Sequence, residues 1–208
     1  ETGVARRPIV DMDAYEHSLR ARMDPTASIL QSLSVRARRE QARIIFAEGD
    51  DERVVRAAVT FKRSGLGQPV VVGRPEQIAG FLKTLGMPEA LDELEIVNAA
   101  TIDRLDEFTD FLYQRSHRKG LDQRDCHKLA SRDRHVFSAL MLAHDMADGM
   151  VTGATRKSAH VLKLINHVFD AEPGDGAVGV TALLARGRLV LLADTLVQEW
   201  PTENDLAD

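Results

Sequence analysis

Arg43-Ile44-Ile45-Phe46-Ala47-Glu48-Gly49 is the stretch whose reading decides the fold. An unbroken apolar run, led by two β-branched residues, stops abruptly at an acid and a glycine. Such a run reads as a short strand covered on both faces, as in parallel sheets flanked by helices. Its surroundings agree. Asp50 or Asp51 can cap the next helix, whose apolar stripe is Val54, Val55, Ala58 and Phe61, up to Gly65. Pro69-Val70-Val71-Val72-Gly73 is a second strand, and Pro75 stands where a helix begins, carrying Ile78, Phe81, Leu82 and Leu85 before Gly86. Glu95-Ile96-Val97 is a short third strand. Residues 43–97 therefore spell a βαβαβ unit with parallel strands and right-handed crossovers.

Outward from this unit the alternation continues. Upstream lie an amphipathic stretch, Asp11–Arg22, and a helix over 26–41 that follows Pro25. Downstream, helical patterns cover 101–118, 123–130 and 133–146, then a strand at Met150–Thr152 and a helix over 156–169. Pro173-Gly174-Asp175-Gly176 is a loop. Ala177–Ala185 and Arg188–Ala193 read as strands joined at Arg186-Gly187. Trp200-Pro201-Thr202 opens a helix that Asp208 cuts short, so a truncated chain is expected. The expected organisation is a lead-in over 1–42, a first lobe over 43–132 and an incomplete second lobe over 133–208.

Composition narrows the function classes. With 208 residues, 44% hydrophobic and 28% charged, the chain can bury a real core. A net charge of −5, with Lys and Arg interspersed among acids, gives no footprint for nucleic acid. No apolar run approaches the ~20 residues of a membrane span. Glu1–Pro8 is charged and lacks the apolar core of a signal peptide. Cys126, the only cysteine, allows no internal disulfide and suits a reducing, cytoplasmic setting. The seven histidines have no metal-ligand spacing, so no metal site is expected.

Candidate binding residues gather where strands end. In Asp148-Gly149-Met150-Val151-Thr152-Gly153-Ala154-Thr155 two glycines bracket an apolar run, and a helix follows. A strand that turns into a helix through glycine leaves backbone N–H groups suited to an anion. Arg156 and Lys157 open that helix, where they would meet phosphates; their plain alternative is solvated surface. Arg118 and Lys119, beside Gly120, invite the same two readings. Thr152 and Thr155 offer hydroxyls, although Thr155 equally suits an N-cap. Asp194 reads as a turn or cap, and Cys126 as a packed thiol. His117, His127, His135 and His144 lack a nucleophile partner for a triad. The acids Glu48, Asp50, Asp51 and Glu52 mark a helix start.

In this order the residues resemble the phosphate acetyltransferase family. Arg43–Val54 is similar to its opening strand and helix, Val70–Gly73 to its second strand, and Arg118-Lys119-Gly120-Leu121 to its basic turn. Ala147–Ala154 is similar to its central strand-turn-helix, and Leu191-Leu192-Ala193-Asp194-Thr195 with Pro201-Thr202 to later landmarks. The lead-in Gly3-Val4-Ala5-Arg6-Arg7-Pro8-Ile9, with Asp11, Tyr15 and Leu19, resembles the segment that joins long bacterial NADP-dependent malic enzymes to a phosphotransacetylase-like region.

These resemblances imply a three-layer α/β/α sandwich with a mainly parallel sheet, of the kind shared with isocitrate and isopropylmalate dehydrogenases, here truncated. They imply a regulatory, oligomerising region that binds acetyl-CoA as effector within an enzyme decarboxylating malate. Phosphate acetyltransferase activity is the alternative. The family's arginine on the helix after the glycine turn is Lys163 here, which keeps the charge but not the bidentate fork. Either Arg115 or Ser116 takes the place of a second family arginine, and no catalytic residue is assigned. Effector residues are then Arg118, Lys119, Thr152, Gly153, Thr155, Arg156, Lys157 and Lys163. NADP and a divalent metal belong to the malic enzyme domain, outside this chain. Apolar crowding over 177–193 adds an expectation of self-association.

Overall fold

The computed structural model describes residues 11–12, 15–16, 19, 25–169, 178–185, 188–193 and 197. They fall into two compact units, one of residues 37–175 and one of residues 1–36 with 176–208. The expected turn at Arg186-Gly187, the loop at 173–176, Asp194-Thr195 and the helix start at Trp200 lie outside the described residues.

The larger unit is built on four parallel strands: β1 (Arg43–Phe46), β2 (Gln68–Val72), β3 (Glu95–Val97) and β4 (Gly149–Val151). Their spatial order is β3-β2-β1-β4, with Ile45 opposite both Val70 and Met150. Alternate residues face opposite layers. Phe46 and Val71 pack with Val55, Val59, Ile78 and Leu82 of helices α2 (Glu52–Arg63) and α3 (Pro75–Thr84). Ile45, Val70 and Val72 pack with Phe108, Leu112, Phe137 and Leu140 of helices α4 (Leu105–Ser116) and α6 (Arg134–Ala143). Helix α5 (Gln123–Arg132) adds Cys126 and Ala130 to that second layer. The result is the expected α/β/α sandwich, and the apolar runs are continuous because both faces are covered.

Local chemistry sets the boundaries. Asp51 caps α2 by accepting from the Arg53 N–H at 2.9 Å. Asp133 ends α5 and starts α6, accepting from the His135 and Val136 N–H groups. The helix expected over 101–118 is shorter, because its end tightens into a 3-10 turn, His117–Lys119. Helix α7 runs only Ser158–Ile165, with Lys157 at its N-cap, so of the two readings of Thr155 the N-cap is not realised. The Thr155 side chain turns to Glu48 instead, its hydroxyl donating to that carboxylate.

Position 132 lies within the compact unit of residues 37–175. Strand β4 completes the same sheet, pairing Ile44 with Gly149 and Phe46 with Val151. The reason is the open hydrogen-bonding edge of β1, whose backbone groups must be paired once both faces are buried. In the other unit β5 (Val180–Ala185) and β6 (Arg188–Ala193) form an antiparallel pair. Helix α1 (Pro25–Glu40) precedes the sheet.

Candidate functional site

The sheet changes winding direction between β1 and β4, since β2 and β3 lie on one side of β1 and β4 on the other. A crevice outside the strand carboxyl ends at such a point is where ligands of open α/β sheets bind. Glu48 follows β1 here and is 1% exposed. Gly49 lets the chain pass close to β2, because a Cβ there would sit 2.6 Å from the Val72 carbonyl oxygen. Across the crevice Gly153 has φ +95, the left-handed region glycine tolerates, and the chain folds back so that the next two amides converge. Both donate to Glu48, Ala154 N–H at 2.6 Å and Thr155 N–H at 2.9 Å. The Thr155 hydroxyl donates to it as well, at 2.5 Å. Burial alone would raise the Glu48 pKa, but these bonds and the nearby His135 hold it below the ordinary value.

The turn expected to receive an anion therefore holds one, supplied by the chain itself. Cations and a histidine surround it. Arg53 pairs with Asp51 at 2.8 Å and reaches the Ala154 carbonyl at 3.4 Å. Arg134 faces the Asp50 carboxylate. Burial pushes the Arg134 pKa down, with Glu48 opposing and Arg156 adding to the fall. His135 is fully buried, with Nδ1 2.6 Å from the Thr152 hydroxyl and no partner for Nε2 among the described residues. Burial pushes its pKa down, so the imidazole is neutral near pH 7.

The named candidates separate on this frame. Thr152, Thr155 and Arg156 come together around Glu48, Arg134 and His135. Gly153 supplies the bend. Lys157 and Lys163 are exposed at the start and the last turn of α7. Arg118 and Lys119 are exposed in the 3-10 turn closed by Gly120, and no described hydrogen bond joins Arg118 to the 153–155 turn. Sequence reasoning missed Glu48 as the anchor of the turn, and Arg134 and His135 beside it. The available signal was the position of Glu48, an acid that ends the apolar run Ile44–Ala47. Cys126 is buried, and burial with Asp125 and Asp122 nearby pushes its thiol up, which suits packing rather than attack. Among the described residues no group of three His, Cys, Asp or Glu side chains could hold a metal ion.

Residues 28–208 match the family described as phosphate acetyl/butaryl transferase. The chain belongs to that family. A phosphotransacetylase from Streptococcus pyogenes has the same fold, with a TM-score of 0.77 at 27% identity, over 87% of this chain and 55% of that one. The NADP-dependent malic enzyme of Rhizobium meliloti is 43% identical over all 208 residues, and that of Escherichia coli 29% identical with the whole chain aligned. This phosphotransacetylase-like chain spans 27% of the Rhizobium protein and 28% of the Escherichia one. Of the two positions that compete for a family arginine, Ser116 is fully buried, whereas Arg115 is exposed and lies over the Phe111 ring at 5.3 Å. No helix among the described residues is long and apolar enough to cross a membrane.

Proposed function

We propose that this chain is the regulatory, oligomerising phosphotransacetylase-like region of an NADP-dependent malic enzyme, binds acetyl-CoA as effector and transfers no acetyl group. The observation that carries it is the extent of the likeness. The malic enzymes of Rhizobium, Salmonella and Escherichia align with 100% of the chain, whereas phosphate acetyltransferases of Nitratidesulfovibrio and Corynebacterium align with 85% and 83%. Malate decarboxylation, with NADP and a divalent metal, then belongs to the remainder of the protein.

The charges support the reading that no acetyl group is transferred. A phosphate approaching a thioester needs fixed cations on its oxygens. Lys163 is a point charge where a fork would grip, Ser116 is buried and uncharged, and Arg115 lies over the Phe111 ring. The exposed cations Arg156 and Lys157 remain available to the phosphates of a CoA, while the 154 and 155 amides are taken by Glu48.

Lys157→Glu in the full-length enzyme is the test. Reversing a charge-assisted contact worth roughly 1.5–3 kcal/mol weakens the acetyl-CoA response at least about tenfold, while malate turnover without effector is unchanged. An unaltered response moves the site to the Arg118–Gly120 turn, and formation of acetyl phosphate from acetyl-CoA overturns the non-transferring assignment. Self-association is the second element of the reading. Val180 and Leu191 are 66% and 65% exposed on the β5–β6 pair, with Leu183, Leu189 and Val190 also exposed. Apolar strands this open are suited to a second copy of the chain, and a strict monomer in sedimentation at high concentration overturns that.

A further inference from the structure

Beside the closed turn, the same sheet edge is open. Where β2 and β3 end, a cleft of about 290 Å³ is lined by Val72, Gly73, Asn98 and Ala99. Asp50 from the β1 loop, Arg74 and Gln77 from the start of α3, and Ser131, Arg132 and Arg134 from the α5–α6 junction complete it. We propose that this cleft is a binding site for a compact dianion, a phosphoryl group or a pair of carboxylates on a small metabolite. The proposal does not rest on the acetyl-CoA reading: none of the effector residues named above lines the cleft.

Charge is the first support. Three arginines meet one aspartate in the lining, a surplus of two positive charges. Elsewhere the chain neutralises guanidinium groups with carboxylates, as in Arg43–Glu95, Arg63–Glu93 and Arg104–Glu107. In the cleft Arg134 has Asp50, but Arg74 is bonded to the neutral Gln77 amide at 3.0 Å. Arg132 is exposed and has no carboxylate in ion-pair range among the described residues. Guanidinium forks match phosphate and carboxylate oxygens in pairs.

The polar neighbours favour the same ligand. Asn98 Oδ1 accepts from the Ala100 N–H at 3.0 Å, which leaves the amide nitrogen of this lining residue as a donor. The Ser131 hydroxyl donates to the His127 carbonyl and makes no demand for an acceptor. The N-terminus of the ten-residue α3 opens at the cleft, with Arg74 as its N-cap and no side chain capping it. Its dipole adds to the positive field of the arginines. Only Asp50 opposes an anion. The volume, just under the ~300–1,000 Å³ usual for small-molecule sites, suits a compact group. A phosphate or a four-carbon dicarboxylate fits within it.

Calorimetry on the full-length protein with inorganic phosphate and, separately, succinate as probes tests this. Expected is saturable binding of at least one probe with Kd on the order of 1 mM or tighter, and the better probe identifies the class. Arg74→Leu and Arg132→Leu, both at exposed positions, each weaken it at least about tenfold, with the thermal unfolding midpoint unchanged. Asp50→Asn tightens it by removing the competing carboxylate. Absence of binding by both probes up to about 10 mM, or binding unaffected by either arginine substitution, overturns the site. Lys157→Glu leaves phosphate or succinate binding as it is, so failure here and failure of the effector reading are read from different variants and different ligands.

Discussion

Where β1 and β4 end, the amides of Ala154 and Thr155 are held by a buried glutamate. Where β2 and β3 end, a few residues away on the same edge, Arg74 and Arg132 stand around an open cleft. Both regions arise from one topological fact, parallel strands that all end on one side. They differ in who supplies the negative charge. A carboxylate on a short tether reaches the β4 turn from β1, so the anion is intramolecular and is present whenever the chain is folded. No carboxylate neutralises the cluster at β2 and β3 fully, and that end is left as a place for something else. Topology thus marks an edge for binding, but the side chains decide which part of the edge is closed.

The difference is broken most severely at Glu48. Glu48→Ala leaves two amides and a hydroxyl in the crevice without their acceptor, and denaturant unfolding is expected to show a loss of about 3 kcal/mol. Arg74→Leu at the open end is expected to leave unfolding unchanged. If Glu48→Ala is as mild as Arg74→Leu, the closed end is not structural and the contrast fails. The same variant sharpens the chemistry: with its internal anion gone, inorganic phosphate is expected to raise the melting temperature of Glu48→Ala more than that of the natural chain.

Gly49→Ala comes next. Its Cβ would meet the Val72 carbonyl oxygen and Val71 Cγ1 at 2.6 Å, and overpacking of this kind costs about 1–3 kcal/mol. The strain falls where β1 passes β2, so a loss of probe binding at the cleft should accompany the loss of stability. Asp133→Ala removes the acceptor for two N–H groups at the start of α6 and is expected to cost about 1 kcal/mol in thermal unfolding. A cost near zero would mean that water replaces the cap.

The smallest expected effect is the response to acid. Folded His135 takes up a proton less readily than the ordinary value of 6.5, because burial opposes its charge. The unfolded chain then binds more protons as pH falls through 6.5, and stability declines toward the lower, folded value. Glu48 adds a separate decline. Its folded pKa lies below 4.5, so its contribution is present above 4.5 and is lost as pH drops through the folded value. In Glu48→Gln this second decline disappears while the first remains. A melting temperature flat from pH 7 to pH 4 would sink the His135 assignment, and an equal decline below pH 4.5 in Glu48→Gln and the natural chain would sink that of Glu48.

The composition and order of residues determined much of this protein. Continuous apolar runs at Ile44–Ala47 and Pro69–Val72, bounded by glycine and alternating with helical patterns, read as strands buried on both faces, which implies helices on each side and hence the sandwich. Gly153 and the charged pair Arg156-Lys157 were legible as a turn with cations near it, because glycine conformation and charge are properties of single residues. Tertiary structure alone decided the rest. Glu48 and Thr155 are separated by 107 residues, and a carboxylate filling a turn looks the same in sequence as one capping a helix. Arg74, Arg132 and Arg134 come from two stretches of chain and become one cluster only when α5 and α6 return to the ends of β2 and β3. That the 133–151 segment completes the first sheet likewise depends on the unpaired edge of β1, a long-range hydrogen-bonding demand that periodicity along the chain does not encode.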